Sequence, residues 1–176
     1  MDSFSPFEAR IRAAAARLPG APPVSRQILS RLVVHLHKYL DVAIQQVLDP
    51  FGLTPPGWTA LMLMYSDPHD ELNPCDLSTM TILSRTNVTR LMDELAARGW
   101  VQRRPAEDDR RRVLLSLTPA GVAFVETVLP AVRDLYTAIW DGFDDDELAV
   151  YERLSRRLAA RLDELGAAAP PAQVPA

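Results

Sequence analysis

Apolar residues recur along most of this chain with the period of a helix, and short polar breaks separate the runs. In the second run they fall at Ile28, Leu29, Leu32, Val33, Leu36, Leu40, Ala43, Ile44, Val47 and Leu48, a helical repeat held for about six turns. Ser25 is placed to cap this helix, and Pro50 with Gly52 to close it. Ahead of it, residues 6–18 read as a short Ala-rich helix with Pro6 near its start, ended by PGAPP at 19–23. Behind it, Thr54-Pro55 combines an N-cap hydroxyl with proline at the first helical position. That helix carries Trp58, Leu61, Met62 and Tyr65 and stops at Asp67-Pro68. After a loop to Asn73-Pro74, a short helix is expected from about Cys75 to Thr81. Ser84 caps the next helix, whose inward positions are Val88, Leu91, Met92 and Leu95, and Gly99 ends it in the left-handed conformation.

From Trp100 the period drops to two. WVQRR (100–104) alternates like a strand, PAEDDRR (105–111) is a polar turn, and VLLSL (113–117) is a second strand, so the pair forms a hairpin with an arginine-rich tip. Thr118-Pro119 opens a long helix through about Asp141, and Asp144 with Glu147 makes a capping box for a last helix over 145–165. The remaining GAAAPPAQVPA (166–176) is too rich in proline and alanine to pack and is expected to be disordered. The element order predicts a mainly α fold: a winged helix-turn-helix over 54–117, with a small two- to three-stranded β wing, flanked on both sides by long helices.

The chain has 176 residues, 48% of them apolar and 24% charged, which suits a soluble globular domain and excludes wholesale disorder. No apolar run approaches the roughly 20 residues of a membrane span, and MDSFSPFEARIR has no secretory pattern, so the expected compartment is the cytoplasm. The single cysteine, Cys75, excludes an internal disulfide framework and a Cys-rich zinc site. His35 and His37 diverge on a helix, and Asp67, His69, Asp70 and Glu71 read as a polar loop, so no metal and no cofactor is expected. No nucleophile–base pairing or phosphate loop is present, which argues against an enzyme.

Charge changes the picture more than composition does. The net charge is −4, yet the stretch from Ser84 to Arg112 holds eight arginines against five acids and carries +3, leaving −7 elsewhere. A basic segment in an acidic body is a localised footprint for phosphates. On the helix that begins at Ser84, the inward set leaves Arg85, Thr86, Thr89, Arg90 and Asp93 outward, with Asn87 at the boundary. An α-helix fits the major groove of B-DNA, where arginine pairs with guanine, asparagine with adenine, and threonine touches the thymine methyl. The hydroxyls of Ser84 and Thr86, beside the free N–H groups of a helix start, suit a phosphate. The expected DNA contacts are therefore Ser84, Arg85, Thr86, Asn87, Thr89 and Arg90, with Arg110 and Arg111 at the hairpin tip entering a minor groove.

The segment LSRTNVTRLMDELAARGWVQRRPAEDDRRRVLLSLTPAG (83–121) resembles the MarR family of bacterial transcription regulators. The likeness lies in Ser84 with Thr89-Arg90, Leu95 with Gly99, Arg103-Arg104, Asp109-Arg110-Arg111, and Leu117-Thr118 with Gly121, and it extends over roughly residues 25–165. The same stretch, with ETVLP after it, is most similar to the EmrR/MprA-like branch, which represses multidrug efflux genes and senses lipophilic weak acids. Ile82 stands where many members have glycine. The resemblance implies that Arg111 is the residue inserted by the wing, with Asp109 holding it. It also implies a twofold homodimer on double-stranded DNA, and a small aromatic or phenolic effector bound between the dimer helices and the winged domain. His35, Tyr39, Trp58, Met62 and Tyr65 lie on the two helices that would border such a site.

The long apolar stripes favour a dimer as well, because stripes with no partner in their own chain mark an interface; packing within one chain is the other reading. The domain boundaries that follow are 1–23 for an N-terminal extension, 24–53 for a dimerisation helix, 54–117 for the DNA-binding domain, 118–165 for the C-terminal dimerisation helices and 166–176 for the tail. Two functions stand beside each other at this point: a ligand-released repressor on a pseudo-palindromic operator, and a winged-helix adaptor that binds another protein and no DNA, which the net charge of −4 favours.

Overall fold

The computed structural model describes residues 2–20, 23–66, 72–81, 83–106 and 113–168. In chain order they form α1 (Ser5–Ala15), α2 (Val24–Leu48), a single 3-10 turn (Asp49–Phe51), α3 (Pro55–Ser66), α4 (Pro74–Thr81), α5 (Arg85–Ala97), β1 (Val101–Pro105), β2 (Val113–Leu117), α6 (Pro119–Ile139) and α7 (Asp145–Ala168). The chain divides into two compact units, Met1–Leu135 and Tyr136–Ala176. Among the described residues no helix is long and apolar enough to cross a membrane.

Most of the expected boundaries have a visible cause. The Gly57 amide donates to Thr54 Oγ1 (3.3 Å) at the start of α3, and Glu147 N–H donates to Asp144 Oδ1 (2.8 Å) while Asp144 N–H donates to Glu147 Oε2 (3.1 Å) at the start of α7. Gly52 and Gly99 take positive φ, +65° and +74°, where a side chain would be strained. Ser25 does not cap α2. The helix starts one residue earlier, at Val24, with Pro23 in the cap position, because the Pro23 carbonyl already accepts from the amides of Arg26 and Gln27 (3.0 and 3.3 Å). At the other end of the chain, α7 continues to Ala168, so residues 166–168 of the expected disordered tail are helical. Leu91 is half-buried where full burial was expected. The Asp67-Pro68 stop, the Asp67–Glu71 loop, Ile82 and the rest of the tail lie outside the described residues.

β1 and β2 pair antiparallel, Val101 opposite Leu117 and Arg103 opposite Leu115. The Leu115 amide also donates to the Leu72 carbonyl (2.8 Å), which adds a one-residue third strand to the wing. The core of the first unit joins Leu48 of α2, Leu61 and Met64 of α3, Leu77 of α4, Val88, Met92 and Leu95 of α5, Val101 and Leu115 of the wing, and Val125, Val128 and Val132 of α6. Burying Val88, Met92 and Leu95 together is what fixes the rotation of α5, and so decides which of its side chains face water.

Outside this core, α1 lies against the first half of α2, with Phe4, Ala15 and Ile28 buried. An open groove of about 560 Å³ between the two helices is lined by Phe7, Ile11, Arg26, Gln27, Ser30 and Arg31. The opposite stripe of α2, Leu29, Val33, Leu36 and Leu40, stays exposed.

Candidate nucleic-acid interface

The α4–turn–α5 unit is built by side chains that answer unpaired backbone groups. Asn73 Oδ1 accepts from the amides of Cys75 (2.8 Å) and Asp76 (3.1 Å) to start α4. Ser78 Oγ donates to the Leu83 carbonyl (2.6 Å) and so spans the turn. Ser84, extended at ψ 152°, accepts from the Asn87 amide (3.3 Å) and starts α5. Removing that hydroxyl in Ser84→Ala should lower stability by about 1 kcal/mol. A melting curve should then shift down by about 2–4 °C, and an unchanged midpoint would show that the cap contributes nothing.

Ser84, Arg85, Thr86, Asn87, Thr89 and Arg90 are all exposed, as the helical period requires. The Thr89 hydroxyl is spent on the Arg85 carbonyl (3.0 Å). Arg85 Nη2 lies 3.9 Å from the sulfur of Cys75, itself exposed. Arg90 makes no hydrogen bond or ion pair with a described residue, so its guanidinium faces water ready for an acceptor. Asp109, Arg110 and Arg111 lie outside the described residues.

Two arginines not assigned as sites from the sequence organise this face. Arg103 of β1 reaches back to α5: its Nη2 sits 2.8 Å from Asp93 Oδ1 and donates to the Thr89 carbonyl at 3.4 Å. Arg98, at the end of α5, meets Glu94 Oε1 (2.9 Å), donates to the Gly52 carbonyl (2.8 Å) and lies over the Trp100 ring (5.1 Å). The signal for Arg103 was in the strand alternation, because it shares a face of β1 with buried Val101.

The five residues expected at an effector site divide between α2, which carries His35 and Tyr39, and α3, which carries Trp58, Met62 and Tyr65. The His35 and Tyr39 rings meet at a tilt of 34°, 4.4 Å between centroids, and Phe4 meets the His35 ring at 5.2 Å. Ser3 Oγ is 2.9 Å from His35 Nε2. Trp58 is in the core, 5% exposed. Met62 and Tyr65 are half-buried, and the Tyr65 hydroxyl donates to Glu126 Oε1 of α6 (3.3 Å). Desolvation first, then the Glu126 carboxylate, push the Tyr65 phenol above its ordinary pKa. The groove between α1 and α2 is lined by none of the five.

A capped recognition-type helix, a turn held to the helix before it, and a β wing latched to its outer face define a winged helix-turn-helix of the DNA-binding kind. Residues 51–112 match the MarR family. The transcriptional repressor MprA of Escherichia coli strain K12 is 32% identical over 163 residues, which cover 93% of this chain and 92% of that one. A cysteine-to-serine mutant of MarR from E. coli, solved complexed with operator DNA, gives a TM-score of 0.67 at 27% identity, covering 74% of this chain and 92% of that chain. MepR of S. aureus in a DNA-binding conformation shares the fold, with a TM-score of 0.68 at 20% identity over 78% of this chain and 98% of that chain. The chain belongs to the MarR family and is a transcriptional regulator of that type.

Proposed function

We propose that this regulator is a repressor that binds a pseudo-palindromic operator as a homodimer and is released by a small lipophilic or aromatic effector. The observation that carries the reading is the outward face of α5, where Arg85, Thr86, Asn87, Thr89 and Arg90 are exposed together behind the Ser84 cap. That face enters the major groove, and the hairpin tip brings Arg110 and Arg111, with Asp109 in support, to the adjacent minor groove. Residues 54–117 form the DNA-binding domain. Residues 24–53 and 118–165 supply the dimer interface, so half-sites are spaced about 10–10.5 base pairs apart. The exposed stripes on α2 and α7 support this assignment.

Effector recognition falls to the aromatic rings of His35, Tyr39, Trp58 and Tyr65, with Met62 beside them, on α2 and α3. An effector that prefers a dimer with the wrong spacing between recognition helices lowers operator affinity by population shift, and a coupling of about 1–3 kcal/mol is enough. The similarity to the repressor MprA supports repression, and control of multidrug efflux is the regulatory role we infer with it.

The test is an anisotropy titration on duplex DNA from upstream of the protein's own gene. Binding should weaken steeply as salt rises, and Arg90→Ala should cost about 1–3 kcal/mol in affinity. Absent or salt-independent binding would instead favour the protein-binding adaptor suggested by the net charge of −4.

A further inference from the structure

Resting on the DNA-binding reading of α5, we propose that Arg103 is a positioning residue that masks a carboxylate on the groove-facing side of that helix. The helical period places Thr86, Thr89, Arg90 and Asp93 on one stripe, opposite buried Val88, Met92 and Leu95. Asp93 is the acid of that stripe, and its side chain is 61% exposed. An exposed carboxylate facing a phosphate-lined groove is repelled by it, and like-charge juxtaposition costs an interface heavily. Arg103 cancels that charge from the wing strand at 2.8 Å.

The pair is too exposed to add much to stability, since surface ion pairs contribute about 0–1 kcal/mol. Its effect is on the field that DNA meets. The second acid of α5 is treated the same way: Glu94 is held by Arg98 at 2.9 Å. Both carboxylates of the helix are thus neutralised by arginines outside its N-terminal half, and Arg90 is left without a partner among the described residues. Arg103 also holds the Thr89 carbonyl (3.4 Å), so one guanidinium fixes the wing strand to the helix at the level of the proposed base contacts.

Three full-length variants separate this role from its rivals: Arg103→Gln, Asp93→Asn and the double variant. Each is titrated against the upstream duplex at several salt concentrations and melted without DNA. Arg103→Gln bares the carboxylate and should bind about tenfold more weakly. Its logarithmic salt slope should stay within about half a unit of the wild type, and its melting point should be close to wild type. Asp93→Asn and the double variant have nothing to mask and should bind within about threefold of the wild type.

A double variant as weak as Arg103→Gln, or a salt slope lower by about one unit, would show that Arg103 grips a phosphate itself and would overturn masking. An Asp93→Asn variant as weak as Arg103→Gln would overturn it in favour of a mechanical strut. So would wild-type affinity in Arg103→Gln, which would leave the pair with no role in binding. If the wild-type chain shows no salt-dependent binding, the DNA-binding reading itself fails, a result distinct from all of these.

Discussion

Gly121→Ala should destabilise the protein by at least about 3 kcal/mol and lower its melting point by roughly 10 °C. In an open helix the same change gains up to about 1 kcal/mol, so the expected sign is opposite to propensity. The reason is backbone meeting backbone. A Cβ on Gly121 would lie 2.1 Å from the Trp100 carbonyl oxygen and 2.9 Å from its carbon, and neither can rotate away. That carbonyl also accepts from the Thr118 amide (3.0 Å). The Thr118 hydroxyl donates to the Gly99 carbonyl (2.6 Å) and accepts from the Gly121 amide (3.0 Å). Two residues at the α6 start, Thr118 and Gly121, are thereby closed onto the segment between α5 and β1. The stacked rings of Trp100 and Phe124, 3.7 Å between centroids, seal the same junction. Gly166→Ala is the internal control: a Cβ there meets nothing within 4 Å, and the change should stabilise slightly. Calorimetry on both variants checks the pair, and equal small effects would show that α6 can slide off the Trp100 backbone.

That junction shows where a sequence stops being readable. Leu117-Thr118 with Gly121 is visible as a motif, and Thr118 is visible as a cap, because both are local. Why the fourth residue has no side chain depends on Trp100, whose carbonyl oxygen the tertiary fold places 2.1 Å from where a Cβ would sit. The recognition-type helix was legible almost whole, since its cap, its inward stripe and its glycine stop are all set by spacing within sixteen residues. Ser25 misled because a hydroxyl near a helix start carries no information about a competing carbonyl, and Pro23 supplied one. Arg103 was legible in principle from strand alternation, but its partner Asp93 belongs to another element. The aromatic set was the least legible. Aromatic residues at helical spacing look alike whether they line a pocket or fill a core, and their partners are remote in sequence: Phe4 for His35, Glu126 for Tyr65.

A double substitution in the last helix, Leu154→Glu with Leu158→Lys, should turn the protein into a monomer of 19.6 kDa and reduce operator affinity by more than about 100-fold. The α7 stripe of Leu148, Tyr151, Leu154, Leu158, Leu162 and Leu165 follows the helical period for five turns, yet no described side chain of α7 is buried in its own chain. Leu154 and Leu158 are 50% and 43% exposed. Burying such side chains contributes about 1.5–3 kcal/mol each, so a run of six leaves a large free energy to be gained by docking, which the proposed dimer supplies. Charges at two adjacent positions of the stripe must then be desolvated in any dimer, a cost that their mutual attraction along the helix does not repay. Glutamate four residues before lysine is a favourable helix pair, so α7 itself should keep its helicity. The proposed dimer tethers two recognition helices, so in its monomer each half-site is bound alone and the gain from linkage is lost. Sedimentation or light scattering reads the mass, and circular dichroism confirms the helix. A double variant that keeps twice the wild-type chain mass would place the interface elsewhere, and the exposed stripe of α2, at Leu29, Val33, Leu36 and Leu40, would be the next surface to charge.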